Sequence, residues 1–157
     1  KIHHPKQPGE QHRGFQLKEK IKQWLSEWGY QYEDMGAFKY NQDDDYPDFV
    51  QRAAQAVAND PERSRGIILG GSGQGEAMVA NRYKDVRAAV FYSPSTSSGQ
   101  AGEEMIRMSR EHNNANVLSL GASFLDEETA KRAIKLWLET PFPGEERHIR
   151  RIEKIDQ

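Results

Sequence analysis

Gly70, Gly71, Gly73 and Gly75 follow a short apolar run and lead into a carboxylate, Glu76, within the segment GIILGGSGQGEAMVANR from Gly66 to Arg82. Four glycines within six residues leave a main chain that presses close to a ligand, and the amides after such a strand converge on an anion above the helix start. Glu76 then stands at the rim of that cradle. Two known loops fail on spacing. A Walker A loop ends in Gly-Lys-Ser/Thr, whereas Gly75 is followed by Glu76 and Ala77; a Rossmann fingerprint runs GxGxxG, whereas Gly71 to Gly75 runs GxGxG. A nucleotide is therefore not the expected ligand. A tight strand-to-helix turn that binds nothing uses the same glycines. Ser72 and Glu76 among them favour a ligand.

Helical and strand patterns alternate around this loop. Phe15, Leu17, Ile21, Trp24, Leu25 and Trp28 recur at helical spacing and stop at Gly29, a good C-terminal cap. Tyr30 to Asp34 reads as a weak strand, Asp43 to Asp45 as an exposed acidic loop, and Pro47 as the start of a helix with Phe49, Val50, Ala53, Ala54 and Val57 inward. Arg65 to Leu69 reads as an inner parallel strand, Ala77 to Arg82 as helix, Ala88 to Tyr92 as a strand and Ser93 to Gly102 as a connecting loop. Met105, Ile106 and Ser109 mark the next helix and Val117 to Leu120 the next strand. Ala130, Ala133, Ile134, Trp137 and Leu138 mark a long helix ending near Pro141. The Met and Trp residues on these faces read as core. Glu145 to Ile155 is a basic helix with Ile149, Ile152 and Ile155 on one side, expected to pack on a neighbour.

This alternation predicts an α/β fold, a three-layer αβα sandwich with a Rossmann-like parallel sheet whose first strand is doubtful. Ligands in that architecture sit beyond the carboxyl ends of the strands. The Gly70 to Gly75 loop lies at such an end. His112, just before the Val117 strand, reaches the same rim if the Asn-rich turn after it folds back.

Composition sets the outer limits. With 157 residues the chain is expected to form one domain, 1–157. A net charge of −2, from 22 basic and 24 acidic residues, gives no reason to expect nucleic acid or an acidic surface as partner. The absence of cysteine excludes disulfides and thiolate metal sites. His3 and His4 lack a third ligand at helical or hairpin spacing, so no metal site is expected. No apolar run approaches about 18 residues, and a soluble cytoplasmic protein without membrane partner is expected.

Several blocks together carry a family resemblance. GFQLKEKI (Gly14 to Ile21), DYPDF (Asp45 to Phe49), GGSGQGEAMVANR, REHNNANVLSLG (Arg110 to Gly121) and ERHIRRIEKI (Glu146 to Ile155) stand in this order. The chain resembles the ribose-5-phosphate isomerase B and galactose-6-phosphate isomerase family from about His12 to its end. The resemblance implies an aldose–ketose isomerase acting on a five- or six-carbon sugar phosphate without metal, nucleotide or other cofactor. Ribose 5-phosphate and ribulose 5-phosphate are the expected pair; a six-carbon sugar phosphate, or binding without catalysis, are the alternatives. Gly70 stands where one subgroup carries a catalytic cysteine, and this chain resembles the other subgroup, in which Glu76 is the base. Gly71, Ser72, Gly73, Gln74 and Gly75 would then hold the oxyanion. His112 matches the family's ring-opening position, Asn113 its hydroxyl-binding amide and His12 its substrate-side histidine.

Arg147 and Arg151 match the phosphate-binding arginines. On composition alone a pair of arginines on an exposed helix is surface charge. The resemblance also implies a homodimer or homotetramer whose pockets form between subunits, with the terminal segment 145–157 packing on the partner. Two departures stand out. Residues 1–11, KIHHPKQPGEQ, hold prolines at 5 and 8 where the family has an apolar strand, and Gln11 replaces the strand's closing Asp. Ser123 stands where the family commonly has Arg.

Overall fold

The computed structural model describes residues 8–36, 39, 43, 45–93 and 99–157, with residues 8–12 and 99–101 described by their main chain alone. The readings at His3, His4, Asp44 and 94–98 lie outside the described residues. Among the described residues six α-helices and three strands follow in the order α1 (Pro8–Glu27), α2 (Tyr46–Asn59), β1 (Gly66–Gly70), α3 (Gln74–Ala80), β2 (Ala88–Phe91), α4 (Gly99–Glu111), β3 (Val117–Gly121), α5 (Glu127–Glu139) and α6 (Glu146–Ile155).

The strands form a parallel sheet in the order β1-β3-β2, with Gly66 and Ala88 both opposite Val117. Because β3 is central it is buried along its whole length, and alternate side chains serve opposite layers. Leu118 and Leu120 pack with Leu17, Ile21 and Trp24 of α1, Ile106 of α4 and Ile134 and Trp137 of α5. Val117 and Ile68 pack on the other face with Val50, Ala54 and Val57 of α2 and Ala80 of α3. The result is the expected αβα arrangement.

Local chemistry explains the helix ends. Gly29 adopts φ 82° after α1, where its N–H donates to Ser26 O at 3.1 Å and the Tyr30 N–H to Leu25 O at 2.9 Å, closing the helix in a Schellman turn. Pro47 stands in the first turn of α2, where no helical N–H is needed. Asp126 caps α5 by accepting the Thr129 N–H at 2.7 Å.

Four sequence readings need correction. Tyr30 to Asp34 is not a strand; Asp34 instead ties this segment to α1 through Lys18 at 3.2 Å and Lys22 at 3.1 Å. The Arg65 to Leu69 run is an edge strand among the described residues, not an inner one. Both have one cause. No strand among the described residues lies between β1 and the 30–35 segment, since α1 is already helical from Pro8. The Ser93 to Gly102 loop is shorter than expected, because Gly99 to Gly102 already belong to α4. Met105 is 57% exposed, not core, and Met78 and Met108 are exposed with it, whereas Trp24 and Trp137 are buried as expected.

Candidate active site

The glycine loop crosses the carboxyl ends of the sheet and is pinned there from below. Ser119, buried in the middle of β3, donates its hydroxyl to Gly73 O at 2.6 Å, and the Ser123 N–H donates to Gly71 O at 3.0 Å. Gly73 takes φ 74° and lies so close to β3 that a Cβ there would come within 3.0 Å of the Leu120 carbonyl carbon. Gly121 is constrained in return, since a Cβ on it would stand 2.7 Å from Ser72 O. Main chain thus packs on main chain, which only glycine permits at both positions. The Gln74 N–H is taken by Ser72 Oγ at 3.2 Å, and Ala77 N–H closes the first helical bond on Gly73 O at 3.1 Å. The amides of Gly71, Ser72, Gly73, Gly75 and Glu76 have no partner among the described residues.

Glu76 is held where the sequence placed it, in the first turn of α3, and it is only 4% exposed. Its carboxylate lies against Gly70, so that any Cβ at Gly70 would collide with it. It has no hydrogen-bond or ion-pair partner among the described residues, and it lines a cavity of about 910 Å³ that runs beneath α1 and α2. Tyr46 of α2 brings its hydroxyl against Gly75, so that a Cβ there would displace the Tyr46 side chain. Ser119 and Tyr46 were not among the residues the sequence nominated. A lone Ser inside the apolar VLSLG strand was the available signal for the first; Tyr46 had none.

The histidine and arginines gather elsewhere. His112 ends α4, and its ring stacks on His148 of α6 with centroids 4.4 Å apart and planes 13° from parallel. The turn that follows is fixed by two guanidinium groups that the sequence reading missed, Arg110 buried and Arg87 half-buried. Arg110 donates to Thr140 O at 3.1 Å, Asn114 Oδ1 at 2.8 Å and Ala115 O at 2.7 Å. Arg87 donates to Asn113 O at 3.0 Å and pairs with Asp156, the residue that caps α6, at 2.7 Å. Asn114 accepts the left-handed conformation that this turn requires, with φ 46°. Arg147 and Arg151 are exposed on α6, and Arg147 leans on Glu145 at 3.2 Å.

Burial, with Arg65 and Arg87 nearby, lowers the Arg110 pKa to about 10, still far above neutrality. Its three acceptors are main-chain and amide oxygens, so removing the side chain strands them without donors. Arg110→Met is expected to destabilise the fold by about 3 kcal/mol, read as a lowered midpoint in urea unfolding. His148 is held below its ordinary pKa of 6.5, first by burial and then by His112 and Arg147, with Glu145 opposing. The unfolded chain therefore takes up a proton that the folded chain refuses. Stability is expected to fall as the solution is acidified through 6.5, and the slope should flatten in His148→Gln when unfolding is followed across that value.

These two groups lie at opposite ends of the sheet. Glu76 and its loop follow the carboxyl end of β1, whereas Arg87 immediately precedes β2 and holds the His112 turn and α6 at the amino ends. A five-residue strand separates the two rims, about 16 Å at 3.3 Å per residue. The Asn-rich turn therefore does not bring His112 to the glycine-loop rim of its own chain. Its direction is set by α4, which returns to the amino ends because the next parallel strand must start there.

The same chain matches the Ribose/Galactose Isomerase family over residues 8–155. It is 39% identical to ribose-5-phosphate isomerase B of Mycolicibacterium paratuberculosis over 145 residues, covering 92% of this chain and 85% of the relative. The chain belongs to this family. Its fold superimposes on ribose-5-phosphate isomerase B of Mycoplasma genitalium, solved with bound ribulose-5-phosphate, with a TM-score of 0.83 at 34% identity over 92% of this chain and 89% of that one. The Thermotoga maritima ribose 5-phosphate isomerase gives a TM-score of 0.79 at 39% identity over 92% of both chains.

The packing makes Gly70 and Glu76 sterically interdependent. A side chain on residue 70 would claim the space that the Glu76 carboxylate fills. His12 does not end a strand; it lies inside α1, as does Gln11, because the prolines before them give the main chain no strand to join. Ser123 tethers its main chain to Gly71, and among the described residues its buried hydroxyl has no hydrogen-bond partner. Among the described residues no three His, Asp or Glu side chains converge as a metal set.

Proposed function

We propose that this protein interconverts ribose 5-phosphate and ribulose 5-phosphate by proton transfer through an enediolate, with Glu76 as the base. The carrying observation is the Glu76 carboxylate, buried beside Gly70 and next to a row of amides, with no partner for either among the described residues. The reaction moves a carbonyl between carbons 1 and 2. A base takes the weakly acidic proton from one carbon and returns it to the other, while negative charge builds on the carbonyl oxygen between the steps. Glu76 is free to accept that proton, since no donor among the described residues holds it. The amides of Gly71, Ser72, Gly73 and Gly75 supply donors for the enediolate oxygen, each worth about 3 kcal/mol in such a role.

The remaining parts come from a second copy of the chain in this reading. His112 opens the sugar ring, Asn113 binds a hydroxyl, and Arg147 and Arg151, four residues apart on one helix face, hold the phosphate. Support comes from the surface around them. Ile149 is 40% and Ile155 58% exposed on α6, while Ile152 and His148 alone turn into their own chain. A helix left half-covered in this way fits a neighbour's surface, in a homodimer or homotetramer. The single domain, with its C-terminal helix at the subunit boundary, is then the catalytic unit, working in the cytoplasm.

Incubating the protein with ribose 5-phosphate and following the appearance of the ketose tests the reading; a chain that binds the sugar phosphate without turnover would refute it. Arg147→Ala is expected to raise KM about tenfold with little change in kcat, because phosphate contacts act equally on substrate and transition state. An unchanged KM would leave α6 a structural helix.

A further inference from the structure

The turn that carries His112 and Asn113 and the helix that carries Arg147 and Arg151 are separate pieces of chain, and neither sets the spacing between them. On α6 two residues are buried, His148 and Ile152. His148 stacks on His112. Flat rings slide on one another, so the stack fixes a separation and leaves the register open. A directed contact must supply the rest.

Arg87 supplies it from a rigid base. The side-chain oxygen of the buried Asn116 accepts the Arg87 N–H at 2.7 Å, its side-chain nitrogen donates to Asp85 O at 2.7 Å, and its main-chain N–H donates to Arg87 O at 3.0 Å. From there the guanidinium uses all three nitrogens. Nε donates to Asn113 O at 3.0 Å, Nη2 to Asn114 O at 3.2 Å and Nη1 to Asp156 Oδ2 at 2.7 Å. A planar fork keeps those three directions in one frame. Among the described residues it is the one side chain hydrogen-bonded both to the His112 turn and to the end of α6.

Helix stability does not account for the pair. Asp156 stands at the carboxyl end of α6, where the helix dipole disfavours a carboxylate. Its side chain is 19% exposed and that of Arg87 11%, so both charges are held largely out of water. What the contact provides is position. Arg151 lies five residues before Asp156, about 7.5 Å along the axis at 1.5 Å per residue. A tilt of α6 at its Asp156 end therefore moves the arginines relative to His112 and Asn113.

We infer that Arg87 is a positioning residue of the isomerase: with Asp156 it sets the spacing between His112 and Asn113 on one side and the arginines of α6 on the other. The inference rests on the isomerase reading and adds the group that holds its ring-opening and phosphate contacts at one distance. Such spacing decides whether both ends of one small substrate are met together.

Asp156→Asn removes the charge and leaves the sheet untouched, so it is the first probe. KM for ribose 5-phosphate is expected to rise about fivefold with kcat within about twofold of wild type. The same change in a chain already carrying Arg147→Ala and Arg151→Ala should leave KM where it was, because the groups to be positioned are gone. Arg87→Gln also releases the turn, and turnover of ribose 5-phosphate should fall about tenfold. Exchange of the carbon-1 hydrogen of saturating ribulose 5-phosphate with heavy water should stay within about twofold in that variant, since enolisation of this open-chain ketose needs Glu76 and no ring opening. Arg87→Lys keeps a charge opposite Asp156 without the fork, so KM should return towards wild type while kcat stays low.

An unchanged KM in Asp156→Asn overturns the inference. So does a rise in KM that is the same with and without the two arginines, or an equal loss of exchange and turnover in an Arg87→Gln chain whose thermal midpoint is unchanged. Should Arg87→Gln fail to fold, the Asp156→Asn comparison decides alone. A wild-type chain without turnover overturns the isomerase reading and this inference together, whereas an active wild type with any of the preceding results overturns the inference only.

Discussion

Glu76→Gln is expected to lower turnover of ribose 5-phosphate about 10³-fold and to stop exchange of the carbon-2 proton with solvent, while the fold persists. Glutamine keeps the shape that fills the space over Gly70, so the loop and α3 lose no contact. It removes the one capacity the mechanism needs, acceptance of a proton. The wild-type carboxylate is buried with no donor among the described residues, so a neutral amide at that place is expected to leave the thermal midpoint equal or slightly raised. A variant that retains proton exchange would remove Glu76 from the reaction. A variant that loses activity only by unfolding would be recognised by its midpoint.

Mixing two dead variants is expected to restore activity. Glu76→Gln damages the carboxyl-end rim and His112→Ala the amino-end rim, which belong to the two ends of one sheet. If each site takes Glu76 from one copy and His112 from another, a mixed dimer has one site with both residues intact and one with neither. Random reassociation after joint refolding from urea makes about half the dimers mixed, so activity should return to about a quarter of the wild-type level. Refolding each variant alone should restore nothing. No recovery in the mixture would show that one chain builds its own site, and the division of the two rims would then have no catalytic meaning.

Much of the site was legible in the residues because it is local. The strand, the glycines and the helix start that hold Glu76 occupy consecutive positions, and near-neighbour sterics set their geometry. Gly29 and Pro47 likewise announced helix boundaries through constraints that act within a few residues. The helix faces of Leu17, Ile21 and Trp24, and of Val50, Ala54 and Val57, followed from period alone. Met105 misled because methionine is apolar on any scale, and only the position of α4 on the sheet decided that this residue faces outward.

Other features depend on partners distant in the chain. Tyr30 to Asp34 has the residues of a weak strand, yet strand pairing needs a neighbour, and Asp34 finds Lys18 and Lys22 instead. The clamp on the His112 turn joins Arg87, Arg110, Thr140 and Asp156, which only tertiary packing assembles. The stacked pair of His112 and His148 belongs to the same class.

By itself the sequence determined the α/β class, the glycine cradle, the carboxylate in its first helical turn and the family, because each is written in neighbouring residues or in ordered blocks. Tertiary structure alone decided that Glu76 and His112 occupy opposite ends of one sheet, and that β1 is an edge among the described residues. The physical reason is that strand order and direction are settled by the pairing of main-chain groups far apart in the chain, and no local pattern records which pairings are made.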